Sequence, residues 1–246
     1  MPADQGSRAR PGPGGIYRIM HRVVSENTIF PTKIVPQDYY SMDIVKDYMS
    51  LKPSPQKDVC IIVGDSTKVL EDMGAWYDLA EGIVAYDTMA VNYSALIIPH
   101  EFEHFAAGDA HMPDMRLVAK SLPESVTKHA WNAGCYDFDI RWVRNGRGGW
   151  NGTSANLAFK IALALDYTRI ILLGCPMDNS GNWYKKSLKE DDIKTKKDHR
   201  MHMWKWCEMA TRPIGCFMRS MSGNTRDLFG APTREWLLHI PETKEK

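Results

Sequence analysis

Apolar residues in this 246-residue chain fall into short continuous runs separated by amphipathic stretches. DVCIIVG (58–64) is apolar almost throughout and ends on a glycine, the pattern of a strand buried on both faces. DSTKVLEDMGAWYDLA (65–80) follows, with Val69, Leu70, Met73 and Tyr77 at helical spacing and Ser66 or Thr67 available as a cap. GIVAYD (82–87) predicts a second strand, HFAAGDA (104–110) a third, and the alternating CYDFDIRWV (135–143) a further one. NGTSANLAFKIALALDY (151–167) predicts a long helix capped by Thr153 or Ser154, and TRIILLG (168–174) another buried strand. HRMHMWKWCEMA (199–210) predicts a helix and PIGCFMRSMS (213–222) the last strand. Strands alternating with helices give the fold class: α/β, Rossmann-like, a mostly parallel sheet with helices on both faces.

The ends read differently. Residues 1–15 are rich in Gly, Pro and Arg and are expected to form a flexible arm. Residues 16–56 form an N-terminal extension, with IYRIMHRVV a candidate strand and QDYYSMDIVKDYMSL a candidate helix, before Pro53 and Pro55 interrupt the chain. The Rossmann-like domain is expected over 57–240, with a polar, lysine-rich lid at about 180–200.

Composition narrows the class. Hydrophobic residues are 43% and charged residues 25%, ordinary for a globular domain and against a disordered chain or coiled coil. No apolar run approaches the roughly 20 residues of a membrane span, and the N-terminus lacks the apolar core of a secretory signal. Five cysteines, an odd number with no CxxC, point to a reducing, cytoplasmic setting. The net charge of +1 predicts no general attraction to nucleic acid, although Arg8, Arg10 and the lid lysines could contact phosphates locally.

Ligands of doubly wound sheets bind outside the carboxyl ends of the strands, which directs attention to the loops there. Gly64, Asp65 and Ser66 follow the first strand and lead into a helix N-terminus. Asp87 and Asn92 are placed after the second strand, where they could bond a ribose or a base edge, and Asp109 and His111 after the third. Asn151, Gly152, Thr153 and Ser154 form a glycine-rich approach to the long helix, which suits a phosphate. Asp178 follows the best-defined strand as a candidate base or sugar ligand. Tyr184 and Lys185 are candidates to stabilise a leaving phosphate, and His199 and His202 are candidate general bases. A competing motif, His100-Glu101-Phe102-Glu103-His104, matches HExxH and would bind zinc on a helix. Against that stand Pro99 immediately before it, Gly108 and His111, which come one residue late for the glycine and the third histidine of a metzincin, and the strand expected at HFAAGDA.

GTSANLAFKIALALDYTRIILLGCPMD (152–178), Ala90-Val91-Asn92, and the closing MRSMSGNTRDLFGAPTREWL together resemble a known group. They are similar to bacterial sialyltransferases that use CMP-sialic acid and to related pterin-pyrophosphokinase-like proteins, with the closing stretch most like phage members. The resemblance spans about 58–240. It implies that Asn92 contacts the nucleotide, that Thr153 and Ser154 sit at its phosphate or ribose, and that His199 or His202 is the base. The expected function is glycosyl transfer from a nucleotide-activated donor to a hydroxyl on a small molecule, a glycan or a modified DNA base. No cofactor is required for this chemistry, with Mg²⁺ entering if the donor is ATP or a UDP-sugar. The alternatives are a pterin-type diphosphokinase using ATP and Mg²⁺ on carboxylates such as Asp65, Asp87 or Asp178, a non-catalytic nucleotide-binding phage accessory protein, and an HExxH zinc peptidase.

Overall fold

The computed structural model describes residues 33–37, 57–131, 137–144, 153–178, 180–183, 202–207, 209–211 and 213–238. Its sheet contains β2 (Val59–Val63) as an interior strand, every residue of which is buried. Its neighbours are β3 (Tyr86–Val91) and β7 (Arg169–Leu173), both parallel to it. From β3 the chain steps outward one strand at a time through β4 (His104–Ala107), β5 (Thr127–Trp131) and β6 (Ile140–Arg144). It then returns across the sheet to lay β7 on the other side of β2, with β8 (Met218–Ser220) beyond it. β1 (Lys33–Gln37), from the expected N-terminal extension, pairs with β6 at the far edge. The eight strands run in the order β1-β6-β5-β4-β3-β2-β7-β8 and every pairing is parallel.

The side-chain period of two divides the strands between two cores. On one face Cys60, Ile62 and Met89 pack against Leu157, Ala158 and Ile161 of α3 (Ser154–Ala164), and against Trp206 and Met209. On the other, Ile61, Val63 and Ile171 pack against Val69, Met73 and Trp76 of α1 (Val69–Ala80). Phe105 and Ala107 pack there against Met115, Val118 and Ala119 of α2 (Pro113–Ser121). Helices on both faces explain why β2 and β7 are continuous apolar runs rather than alternating ones. Two short helices, α4 (Gly223–Phe229) and α5 (Arg234–Leu238), complete the described chain. Phe229 joins the α3 core and Leu237 the α1 core. No helix among the described residues is long and apolar enough to cross a membrane.

Several boundaries depart from the sequence pattern. The second strand begins at Tyr86 rather than Gly82, because Glu81, Gly82 and Ile83 form the turn that ends α1. Asp87 therefore lies near the start of β3, at the end of the sheet opposite to where the pattern placed it. β5, α2, α4 and α5 come from segments without a strong pattern, and residues 213–217 form a 3-10 turn ahead of a three-residue β8. On α1, Leu70 is 68% exposed and Trp76 takes the buried place expected for it. Neither Ser66 nor Thr67 is the N-cap; Lys68 is, and its N–H is accepted by Ser66 Oγ at 3.1 Å.

Candidate functional site

The order of strands places the reversal of winding between β2 and β7, where successive connections leave in opposite directions and open a crevice. Two glycines permit its floor. Gly174 has φ +62°, and a Cβ there would lie 2.7 Å from Val69 Cβ. A Cβ on Gly64 would lie 2.5 Å from both Gly174 O and Cys175 Sγ. Gly64 N–H donates to Leu173 O at 2.8 Å and Ser66 N–H to Gly174 O at 3.2 Å, so the two turns are joined directly.

The loop after β7 is then fastened across the loop after β2. Thr67 Oγ1 donates to Ser180 O at 2.8 Å, Trp183 N–H donates to Asp65 O at 3.0 Å, and Ser66 and Asn182 form an antiparallel bridge. Asp178 Oδ1 accepts the Ser180 N–H at 2.8 Å, a local turn that sets the direction of the loop. From behind, α4 holds the same turn: Thr225 Oγ1 donates to Cys175 O at 2.7 Å and Asn224 Nδ2 to Met177 O at 2.8 Å.

Between these loops, the end of β3 and the start of α3 lies a cavity of about 300 Å³. Gly64, Asp65, Ser66, Asn92, Thr153, Ser154, Asp178 and His202 all line it. Asn151, Gly152, Tyr184, Lys185 and His199 lie outside the described residues. Asn92 has φ +53°, an uncommon conformation for a residue other than glycine. Ser94 anchors that bend, accepting the Val91 N–H at 2.8 Å and donating to Val63 O at 2.6 Å. Thr153 caps α3 by accepting the Asn156 N–H at 3.3 Å, and Ser154 Oγ accepts the Gly108 N–H at 3.0 Å. Among the described residues, Asn92 Oδ1 and Ser180 Oγ are buried atoms with no hydrogen-bond partner. Burial pushes the Cys175 thiol well above its usual range, so this lining residue is no thiolate nucleophile at neutral pH.

Asp72 is the site residue that the sequence reading missed. It sits on the apolar face of α1 with Val69, Met73 and Trp76, and is only 4% exposed. Its Oδ2 accepts both the Gly174 N–H and the Ser222 hydroxyl, each at 2.7 Å. It thereby ties α1 to the turn after β7 and to the start of α4. Burial raises its carboxyl above the ordinary value, against the opposing effect of the Ser222 and Gly174 hydrogen bonds. The available signal was an acid in a buried stripe at 69, 72, 73, 76 and 80.

Other candidates lie elsewhere. Asp109 and His111 are exposed beyond β4 and do not line the cavity. Asp87 is held at the amino end of the sheet by Lys57 at 2.7 Å and by the Tyr167 hydroxyl at 2.8 Å, which removes it from any set with Asp65 and Asp178. The HExxH segment is not helical. His104 opens β4, whereas His100 precedes the strand and meets Tyr77 OH at 3.2 Å and Thr88 Oγ1 at 3.3 Å. Glu103 accepts the Thr88 N–H at 2.7 Å. These residues are spent on contacts within the fold, and no group of three or more His, Cys, Asp or Glu side chains converges among the described residues. Searches against protein-family models, curated proteins and solved structures return no match to this chain.

Proposed function

We propose that the cavity holds a nucleotide-activated donor and that the chain is a glycosyltransferase-like enzyme acting on a hydroxyl acceptor. The observation that carries this reading is the mixture of donors and acceptors in one cavity. Thr153 and Ser154 each accept a backbone N–H, so their own hydroxyl protons can still be given to a ligand. Asn156 and Leu157 give their N–H groups to Thr153, which leaves those of Ser154 and Ala155 at the start of α3 to favour an anionic group. Other lining groups accept, among them the Asp65 and Asp178 carboxylates and Asn92 Oδ1, and the Ser180 hydroxyl can accept or donate. A ligand with a phosphate at one end and a hydroxyl-bearing ring at the other satisfies both sets. The resemblance of 152–178 to nucleotide-sugar transferases supports the same ligand class.

In this mechanism His202, on the cavity lining, takes the proton of the acceptor hydroxyl. The acceptor oxygen bonds to the anomeric carbon as the bond from that carbon to the phosphate oxygen breaks. The nucleotide leaves with the bonding electrons, and its charge is stabilised at the start of α3. Asp65 and Asp178 also favour a second reading, diphosphate transfer from ATP, in which they would hold Mg²⁺.

The test is a thermal-shift titration with CMP, UDP, GDP and ADP, each with and without EDTA, and ATP with Mg²⁺. A ligand at 100 times its Kd adds about 2.7 kcal/mol to native stability. Trp183 and Trp204 are exposed and lie next to Asn182 and near His202 in the chain, so their fluorescence gives a second readout. A shift with a pyrimidine nucleotide that survives EDTA supports glycosyl transfer. A shift with ATP and Mg²⁺ alone selects the diphosphate reading, and no shift with any nucleotide overturns both.

A further inference from the structure

The turn after β2, Gly64-Asp65-Ser66-Thr67, carries a threonine that the helix pattern offered as a cap and the structure uses otherwise. Thr67 is exposed and spends its hydroxyl across the rim of the cavity, on Ser180 O at 2.8 Å. The same two stretches meet again farther along. Thr67 N–H donates to Gly181 O at 3.1 Å, Ser66 and Asn182 form an antiparallel bridge, and Trp183 N–H donates to Asp65 O at 3.0 Å. Residues 65–67 and 180–183 are therefore a short antiparallel ribbon, with the Thr67 side chain fastening one end. Asp65, Ser66, Ser180, Gly181 and Asn182 all line the cavity, so the ribbon is part of its wall.

Wall and floor are held by different kinds of contact. On the floor, Gly174, Cys175 and Pro176 are buried. Asp72 of α1 takes the Gly174 N–H, and Thr225 and Asn224 of α4 bond Cys175 O and Met177 O. The strap leaves the floor after Met177. None of residues 180–183 is buried, and Trp183 is 37% exposed. Peptide bonds between exposed stretches can be exchanged for bonds to water, whereas opening the floor would uncover apolar side chains. Closing the ribbon also leaves Ser180 Oγ buried without a partner among the described residues. Opening would let water reach it, which returns part of the cost of closure.

We propose that residues 180–183 are a strap that unfastens from 65–67 as one unit while the floor stays folded, opening a way into the cavity, and that the Thr67 hydroxyl is its latch. Each contact along the ribbon keeps the next in register, so loss of the latch at one end loosens the Trp183 contact at the other. Further contacts made by the strap would slow its opening without changing which end the latch holds. The inference concerns access to the cavity and is independent of the ligand proposed for it. Two cysteines separate the kinds of opening. Cys175 is buried on the cavity lining and reports access to the cavity. Cys60, completely buried in β2, reports opening of the sheet itself.

Two measurements on the full chain test it. In native-state hydrogen exchange, the Thr67 and Trp183 amides should share one opening and exchange more than about tenfold faster than the Gly64 and Gly174 amides of the floor, after correction for intrinsic rates. Thr67→Val should speed exchange at Trp183 by about two- to twelvefold, the worth of one net hydrogen bond. It should leave Gly64 and Gly174 unchanged, and Thr67→Ser, which keeps the hydroxyl, should behave as wild type. Alkylation by iodoacetamide, resolved by peptide mass spectrometry, should reach Cys175 before Cys60. Thr67→Val should raise the Cys175 rate by the factor seen at Trp183 and leave Cys60 unchanged. Equal exchange of strap and floor amides, an unchanged Trp183 amide in Thr67→Val, or a faster Trp183 amide with an unchanged Cys175 would overturn the proposal. Should Thr67→Val fail to fold, the wild-type comparisons of strap with floor and of Cys175 with Cys60 decide alone.

Discussion

Gly174 allows a quantitative test of how the cavity floor is built. Its φ of +62° costs a residue with a Cβ about 1–2 kcal/mol. The added Cβ would also lie 2.7 Å from Val69 Cβ and 3.0 Å from both Gly64 O and Val69 Cγ2. Overpacking of this kind costs about 1–3 kcal/mol, so Gly174→Ala should lose about 2–5 kcal/mol. For a domain of this size each kcal/mol moves Tm by roughly 2–4 °C, which places the fall at roughly 4–20 °C. Three other glycines separate the contributions. Gly82, with φ +69° and nothing within 4 Å of a built Cβ, carries the backbone cost alone. Gly64, whose built Cβ meets Cys175 Sγ and Gly174 O at 2.5 Å, carries the contact alone. Gly74, inside α1 with nothing within 4 Å, carries neither, and alanine there should stabilise by about 0.5–1 kcal/mol. Urea unfolding followed by tryptophan fluorescence measures all four, and the midpoint should move with the slope unchanged. A Gly174→Ala loss no greater than that of Gly82→Ala would refute the close approach of the two turns.

Three further outcomes follow from the same geometry. Asp72 has a raised carboxyl in the fold, so its contribution is complete below its unfolded value near 3.8 and is lost as pH rises through the higher folded value. The stability of Asp72→Asn relative to wild type should therefore improve from about pH 4 to pH 7, and a gap moving the other way in urea unfolding would contradict the balance of burial over hydrogen bonding. Ser94→Ala leaves the buried Val91 N–H and Val63 O without their shared partner and should cost about 1–3 kcal/mol by the same assay; a loss under ~0.5 kcal/mol would show that the bend at Asn92 is held otherwise. Under the proposed transfer reaction, His202→Gln should keep nucleotide affinity within about threefold and lose transfer by about 10²–10⁴-fold, measured by fluorescence titration and product formation. Loss of binding instead would make His202 a ligand contact rather than the base.

The sheet was legible where strands are buried on both faces. DVCIIVG and TRIILLG can be little else, and the two lie side by side as interior strands. The loops that follow them were therefore legible as candidate sites, since position after an interior strand is a property of topology. β5 was not legible: TKHAW holds a lysine and a histidine that take their places through pairing with β4 and through the contact of His129 with His104. α4 and α5 are seven and five residues long, too short to show a helical period. Asp87 was misplaced because Ile83, Val84 and Tyr86 read as one apolar run, although the turn after α1 uses the first part of it. Asp72 escaped because an acid within a helix is ordinarily solvated, and its two partners are 102 and 150 residues away in the chain.

Polar side chains tie the chain together at both ends of the sheet, and the cavity lining at the carboxyl end also holds two buried atoms without a partner. At the amino end, Asp87, Glu103, His100 and Tyr167 each meet partners supplied by the chain. At the carboxyl end, the turns are fixed as firmly, by Asp72, Ser94 and Thr225. Yet Asn92 Oδ1 and Ser180 Oγ have no partner there among the described residues, and Asn92 holds a left-handed backbone. Leaving a buried polar atom unpaired costs about 1–3 kcal/mol, and a left-handed residue other than glycine adds roughly 1–3 kcal/mol. The proposed ligand would offset that cost, because Asn92 Oδ1 and Ser180 Oγ share one cavity lining with the start of α3 and His202, where a bound molecule would give them partners.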